Sequence, residues 1–153
     1  MATYLLTWNP QRWAWKTLAA EARRLRRGRE VKGRWGCGNA KSLGAGDRFF
    51  LLRQGRPPRG IVASGTILSG PLVDRHWDPA KARRGVPASY VHLRFEVLLG
   101  PEDVPLGVAE LTRGPLAQVH WRTHVSGIRI AEDAAVLLDR LWKAHVACFR
   151  LST

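Results

Sequence analysis

The sequence is poor in cysteine and in acidic residues, and it has no long apolar run. Its two cysteines, Cys37 and Cys148, lie far apart with no CxxC spacing, which argues against a disulfide framework and a structural zinc site and points to reduced thiols. No apolar stretch approaches the roughly 18 to 20 residues that cross a bilayer. The opening MATYLLTWNPQRW has neither the basic n-region nor the cleavage site of a signal peptide. A cytoplasmic protein with no membrane span is expected. His120 and His124 share a spacing that could bind metal on a helix, but HExxH and a neighbouring acidic cluster are absent. GxxxxGK[ST] is absent too, and Gly36-Cys37-Gly38 is too short to cradle a phosphate. Neither a metal nor a cofactor is therefore expected.

What is present is base. Lys and Arg number 25 against 12 Asp and Glu, a net charge of +13. A GC-rich genome would account for Arg in place of Lys, but not for the excess of base over acid. Such a field attracts polyanions. Nucleic acid, rather than a membrane surface or a ribonucleoprotein, is the expected partner. The 153 residues, 45% hydrophobic and 24% charged, fit one folded domain over 1–153.

Along the chain, Tyr4 to Trp8 reads as a buried strand that stops at Asn9-Pro10. That pair is a helix-start signal, and a helix is predicted to about Arg27, with Trp13, Leu18, Ala22 and Leu25 on its apolar stripe and Gly28 ending it. GREVKGRWGCGN, from Gly28 to Asn39, holds four glycines and reads as a loop presenting Trp35. Asp47 to Gln54 and Gly60 to Leu68 form a predicted hairpin, and Ser69 to Ala88 a long loop carrying Trp77. Ser89 to Leu99 alternates as a strand, with Val91, Leu93, Phe95 and Val97 on one face. A short helix is placed at Leu106 to Thr112 and a brief strand or turn at Ser126 to Ile130. A last helix, from about Ala131 to Ala147, buries Val136, Leu137, Leu141 and Val146. This order describes an α+β fold, a sheet with helices against it, for which a small, mostly antiparallel barrel is the natural closure.

The chemistry that survives is aromatic. Seven tryptophans exceed the needs of so small a core, and Trp8, Trp13, Trp35, Trp77 and Trp121 lie in or beside loops and element ends. Trp142, and Trp13 or Trp15, are read as core. An indole face is a stacking platform worth about 1–3 kcal/mol per base, which helps offset the cost of extruding a base from a duplex. Cys37 reads as structural or pocket-lining rather than as a nucleophile.

The strand YLLTWNP, the loop WGCGN, the strands GDRFFLLRQG and GIVASGTIL, the later RHW, and SGIRI before the last helix occur in this order across nearly the whole chain. In this it resembles the EVE domain of the PUA-like superfamily, related to YTH and ASCH domains. The resemblance implies a small β-barrel with flanking helices that holds one modified base in an aromatic pocket. It also implies that Trp35 and Trp77 are the two aromatic walls, that Asn9 reads the base edge, and that backbone groups of Gly36 and Cys37 bond the base. Trp8 and Asn39 would border the same cleft, and Ser126-Gly127 would close it. Gly36 stands where YTH domains have serine, and their third aromatic has no clear counterpart, which turns the expectation from N6-methyladenine towards cytosine. EVE domains fused to HNH nucleases in modification-dependent restriction imply 5-methylcytosine or 5-hydroxymethylcytosine in DNA, with any nuclease on another chain.

The expected protein is a non-enzymatic reader that flips such a base between Trp35 and Trp77, with Arg23, Arg24, Arg26, Arg27, Lys32 and Arg34 on the phosphates. One alternative is a reader of a modified base in RNA. The other is an ASCH-like amidohydrolase acting on a modified cytidine, for which Lys16, Thr17 and Glu96 are available without a matching spacing.

Overall fold

The computed structural model describes residues 1–151. Strand β1 (Thr3–Trp8) is followed by α1 (Leu18–Arg26), β2 (Val31–Gly36), β3 (Arg48–Arg53) and β4 (Gly60–Ile67). Next come β5 (Leu72–Arg75), α2 (Pro79–Arg83), the long β6 (Pro87–Leu98) and the two-residue β7 (Leu106–Gly107). Two 3₁₀ turns, Val108–Leu111 and Gly114–Gln118, lead to β8 (Ile128–Ile130) and α3 (Glu132–Leu151). The fold is α+β. Its eight strands form one mixed sheet in the order β2-β6-β4-β3-β1-β8, with β5 also beside β6 and β7 beside β4. β1 and β3 run parallel, and the other pairings are antiparallel. Among the described residues no ladder joins β2 to β8, so the sheet is open rather than closed into the expected barrel.

Alternation along the strands sorts the apolar residues into two clusters. Tyr4, Leu6, Trp8, Phe49 and Leu51 share one face with Leu18 and Ala22 of α1. Leu5, Phe50 and Leu52 point the other way, towards Ala134, Leu138, Trp142 and Val146 of α3. Two bulges break the alternation. Leu51 and Leu52 pair with Ala63 and Ile61, so Val62 is extra and both Val62 and Ala63 reach the α1 side. Ser64 and Gly65 pair with Val97 and Phe95, so Glu96 is extra and Val97 crosses to the α3 side, away from Val91, Leu93 and Phe95. Gly65 makes this possible, because a Cβ there would stand 2.0 Å from the Arg94 carbonyl.

Four expected elements differ. The helix placed after Asn9-Pro10 begins only at Leu18. Asn9 does start a turn, its carbonyl accepting from Arg12 and Trp13 N–H. The chain then stays irregular because Trp13 and Trp15, two apart, both contact the Trp35 ring at 5.4 and 5.0 Å. Residues i and i+2 of a helix cannot face one neighbour. The glycine-rich loop is instead strand β2, at one end of the sheet path, with Val31, Gly33 and Trp35 alternating against Lys32 and Arg34. The long loop from Ser69 to Ala88 contains β5 and α2. Asp78 caps α2 by accepting from Ala80 N–H at 2.9 Å. The helix at Leu106 to Thr112 is β7 and a 3₁₀ turn.

The buried stripe of α3 lies at Ala134, Leu138, Trp142 and Val146, and Val136 is half exposed. The Trp142 indole sets this rotation by donating to Ser64 Oγ at 2.9 Å. Asp139 sits between Arg48 (2.8 Å) and Lys143 (2.8 Å). Burial opposes its ionisation, but hydrogen bonds from Lys143 and Arg48 outweigh this and hold the carboxyl below its ordinary 3.8. A carboxyl depressed on folding stabilises fully above the ordinary carboxylate range, and that contribution is lost as pH falls through it towards the folded value. Asp139→Asn is expected to lower stability at pH 7 and to narrow the gap to wild type on acidification, as read by urea midpoints between pH 7 and pH 3. A constant gap would contradict the linkage.

Candidate functional site

The end of β2 and the residues before β8 meet through side chains rather than a ladder. Ser126 Oγ donates to the Gly36 carbonyl at 2.7 Å and accepts from Thr7 N–H at 3.1 Å. The Trp35 indole donates to the Thr7 carbonyl at 3.0 Å. Gly127 has φ +93°, donates to the Leu5 carbonyl, and would bring a Cβ within 2.2 Å of the Cys37 carbonyl. Only glycine fits a left-handed position that close to another backbone.

Beside this seam lies a cleft of about 730 Å³. Trp8, Asn9, Trp35, Gly36, Asn39, Trp77 and Ser126, all singled out in the sequence, line it. Trp8 is buried, gives its indole N–H to the Trp13 carbonyl at 3.0 Å and meets Trp15 edge-on at 5.3 Å. Trp35 is held by Trp13, Trp15 and Thr7. Trp77 is 43% exposed, contacts His76 at 5.2 Å and lies 3.8 Å from where a Cβ on Gly36 would be. One indole is thus built into the core edge, while the other stands free enough to meet a ligand.

Cys37 and Gly127 do not line the cleft. Cys37 is fully buried and donates its N–H to the Ser89 carbonyl at 3.0 Å. Of the backbone groups expected to bond a base, the Gly36 carbonyl accepts from Ser126 and the Cys37 N–H is given to Ser89. Burial pushes the Cys37 thiol up, against a smaller opposing pull from a backbone hydrogen bond. Native protein treated with iodoacetamide at pH 8 is expected to remain unmodified at Cys37 and to react there only once denatured, as followed by peptide mass spectrometry. Rapid native labelling would place the thiol outside the core.

Of the expected phosphate ligands, only Arg34 lines the cleft. It bonds Asp74 at 2.7 Å and lies 4.0 Å over the Tyr90 ring. Asp74 is held below its ordinary value by the Arg75 backbone N–H and then by Arg34. Lys32 pairs with Glu30 at 3.6 Å, Arg26 with Asp103, and Arg24 reaches the Glu30 carbonyl. Arg23, Arg24, Arg26 and Arg27 sit on or just after α1 and away from the cleft lining. Arg12, Lys81, Trp13, Tyr90 and Gln54, which the sequence reading did not assign to the site, do line it. Arg12 and Trp13 were hidden in the expected helix and Lys81 in the expected loop. None of Lys16, Thr17 and Glu96 lines the cleft; Thr17 donates to Glu21, and Glu96 accepts from Thr66. Trp121 is buried, with its indole on the Leu116 carbonyl. Among the described residues no three His, Cys, Asp or Glu side chains group to hold a metal, and no helix is long and apolar enough to cross a membrane.

Fold and site together define an α+β domain whose open mixed sheet carries an aromatic, cation-lined cleft where the end of β2 meets the residues before β8. No family model and no curated protein sequence matches the chain. Among solved structures, a hypothetical protein from Leishmania major is similar at 14% identity and TM-score 0.61, over 94% of this chain and 96% of that one. A protein from Pseudomonas syringae is similar at 21% identity and TM-score 0.58, over 92% of this chain and 99% of its own. A third, from Rhodopseudomonas palustris, stands at 19% and 0.55, with 92% of each chain covered. At these identities the likeness is one of fold.

Proposed function

We propose that the chain is a nucleic-acid-binding module of the EVE and PUA-like kind. It takes one modified base, 5-methylcytosine or 5-hydroxymethylcytosine in DNA, out of the duplex and into the cleft beside Trp77. The observation that carries this reading is the meeting of Trp8, Trp13, Trp35 and Trp77 with Arg12, Arg34 and Lys81 around one cleft of about 730 Å³. That volume lies within the range of small-ligand sites, about 300–1,000 Å³. An indole at the rim supplies stacking, and the cations supply attraction to the flanking phosphates. The net charge of +13 favours encounter with any polyanion, so specificity must come from the cleft. The module acts in the cytoplasm as a reader rather than an enzyme. In a restriction role, cutting falls to a nuclease on a partner chain.

The test is competition at near-physiological salt between a labelled duplex and unlabelled copies carrying cytosine, 5-methylcytosine, 5-hydroxymethylcytosine or N6-methyladenine, with matching RNA. A preference of about tenfold, 1.4 kcal/mol, for one modified cytosine in DNA is expected. Equal competition by all DNAs would overturn the reading, and a preference confined to RNA would move it to the modified-RNA alternative.

A further inference from the structure

Gln54 follows β3, where its backbone N–H donates to the Trp8 carbonyl at 2.7 Å. The residue lines the cleft, is only 7% exposed, and its Nε2 has no acceptor within reach among the described residues. Nearly all buried polar groups in native proteins are paired, and an unpaired one lowers stability. A buried amide kept unpaired in the wall of a binding cleft points to a partner that arrives with the ligand. The last torsion of a carboxamide is broad and twofold, so the group can turn to meet one without leaving its place.

The rest of the wall has the same polarity. Thr7 O already accepts from the Trp35 indole, Gly36 O from Ser126, and Ser89 O from Cys37 N–H. Asn9 Oδ1 accepts from Gln11 N–H at 3.0 Å, which leaves its Nδ2 as the end to offer a ligand. Arg12, Arg34 and Lys81 can only donate. Among the described residues no aspartate or glutamate lines the cleft. The wall thus holds three cationic side chains that only donate and no carboxylate to accept from a ligand.

A ring suited to such a wall turns an acceptor edge inward. Cytosine carries two adjacent acceptors, O2 and N3, on the side of the ring opposite C5, so this edge can face the wall while a 5-substituent points away from it. Resting on the base-reading function above, we propose that Gln54 is a specificity-determining residue whose side-chain amide donates a hydrogen bond to the O2/N3 edge of the bound modified cytosine. Its unpaired state without ligand is the cost of that selectivity, because a ring offering a donor there would leave the amide buried and unmatched.

Gln54→Met and Gln54→Glu separate this role from a structural one. Methionine removes the donor at similar volume, and glutamate keeps the shape but puts an acceptor where the nitrogen stood. Binding of duplexes carrying 5-methylcytosine, 5-hydroxymethylcytosine or cytosine is measured for each variant beside its Tm. Gln54→Met is expected to weaken binding of the preferred modified duplex about tenfold, leave unchanged the plain duplex, whose cytosine has the same edge but stays stacked outside the cleft, and hold or raise Tm. Gln54→Glu is expected to lose more. Retained preference in both variants overturns the assignment, as does an equal loss on all duplexes accompanied by a fall in Tm for Gln54→Met. If the wild-type protein prefers no modified duplex, the base-reading function fails first and the role of Gln54 with it, before any substitution is compared.

Discussion

Trp77→Ala is expected to abolish most of the preference for a modified base while leaving the protein folded. Trp77 is 43% exposed, and its ring contact is with His76, so its removal opens little of the core. Losing one stacking face costs about 1–3 kcal/mol of binding, roughly 5- to 150-fold in Kd, and the loss should fall on the modified duplex while general attraction to DNA persists. Trp77→Phe should recover part of it. Trp35→Ala is a poorer probe, because Trp35 also bonds Thr7 and packs on Trp13 and Trp15, so stability and binding would fall together. Replacing Arg23 and Arg27 by Ala tests the outlying charge instead, and should weaken all duplexes alike and flatten the salt dependence. A Trp77→Ala protein that discriminates as wild type does would remove this indole from the site.

The largest effect on stability is expected at Trp142. The ring is 2% exposed between α3 and the sheet, stacks with His145, and its indole N–H satisfies the buried Ser64 hydroxyl. Trp142→Ala should cost about 3–5 kcal/mol through lost burial and the cavity left behind. Folded domains hold about 5–15 kcal/mol in all, so the variant should be partly unfolded or melt far below wild type. Trp142→Phe fills most of the space but leaves Ser64 unpaired, and should cost about 1–3 kcal/mol. Urea denaturation of the pair separates the two contributions. Because Trp142 packs on the face of the sheet opposite Trp8 and Trp35, the folded fraction of either variant should keep its binding preference. A loss below about 1 kcal/mol for Trp142→Ala would mean that α3 does not depend on this anchor.

Several strands and the terminal helix were legible because their apolar patterns are local. β3 and β4 fall within about a residue of the apolar runs that flank the Gly55–Arg59 turn, and α3 starts beside its acidic first turn. β2 was hidden because composition spoke louder than period. Its glycines suggested a loop, although Val31, Gly33 and Trp35 alternate with Lys32 and Arg34. The irregular stretch after Asn9-Pro10 could not be read locally, since what breaks the helix is contact of Trp13 and Trp15 with Trp35, on a strand distant in sequence.

The cleft divides in the same way. By itself the sequence determined the strong positive charge, the excess of tryptophan and the strand segments, because these follow from counting side chains and from short-range periodicity. Only the tertiary structure decided that Trp77 stands free while Trp121 is buried, that Cys37 belongs to the core, and that the arginines of α1 lie away from the cleft while Arg12 and Lys81 line it. It alone left the Gln54 side-chain Nε2 without an acceptor among the described residues. Each of these depends on contacts between segments far apart in the chain, such as that of Gly36 with Ser126, 90 positions away, and no local pattern encodes a meeting at that distance.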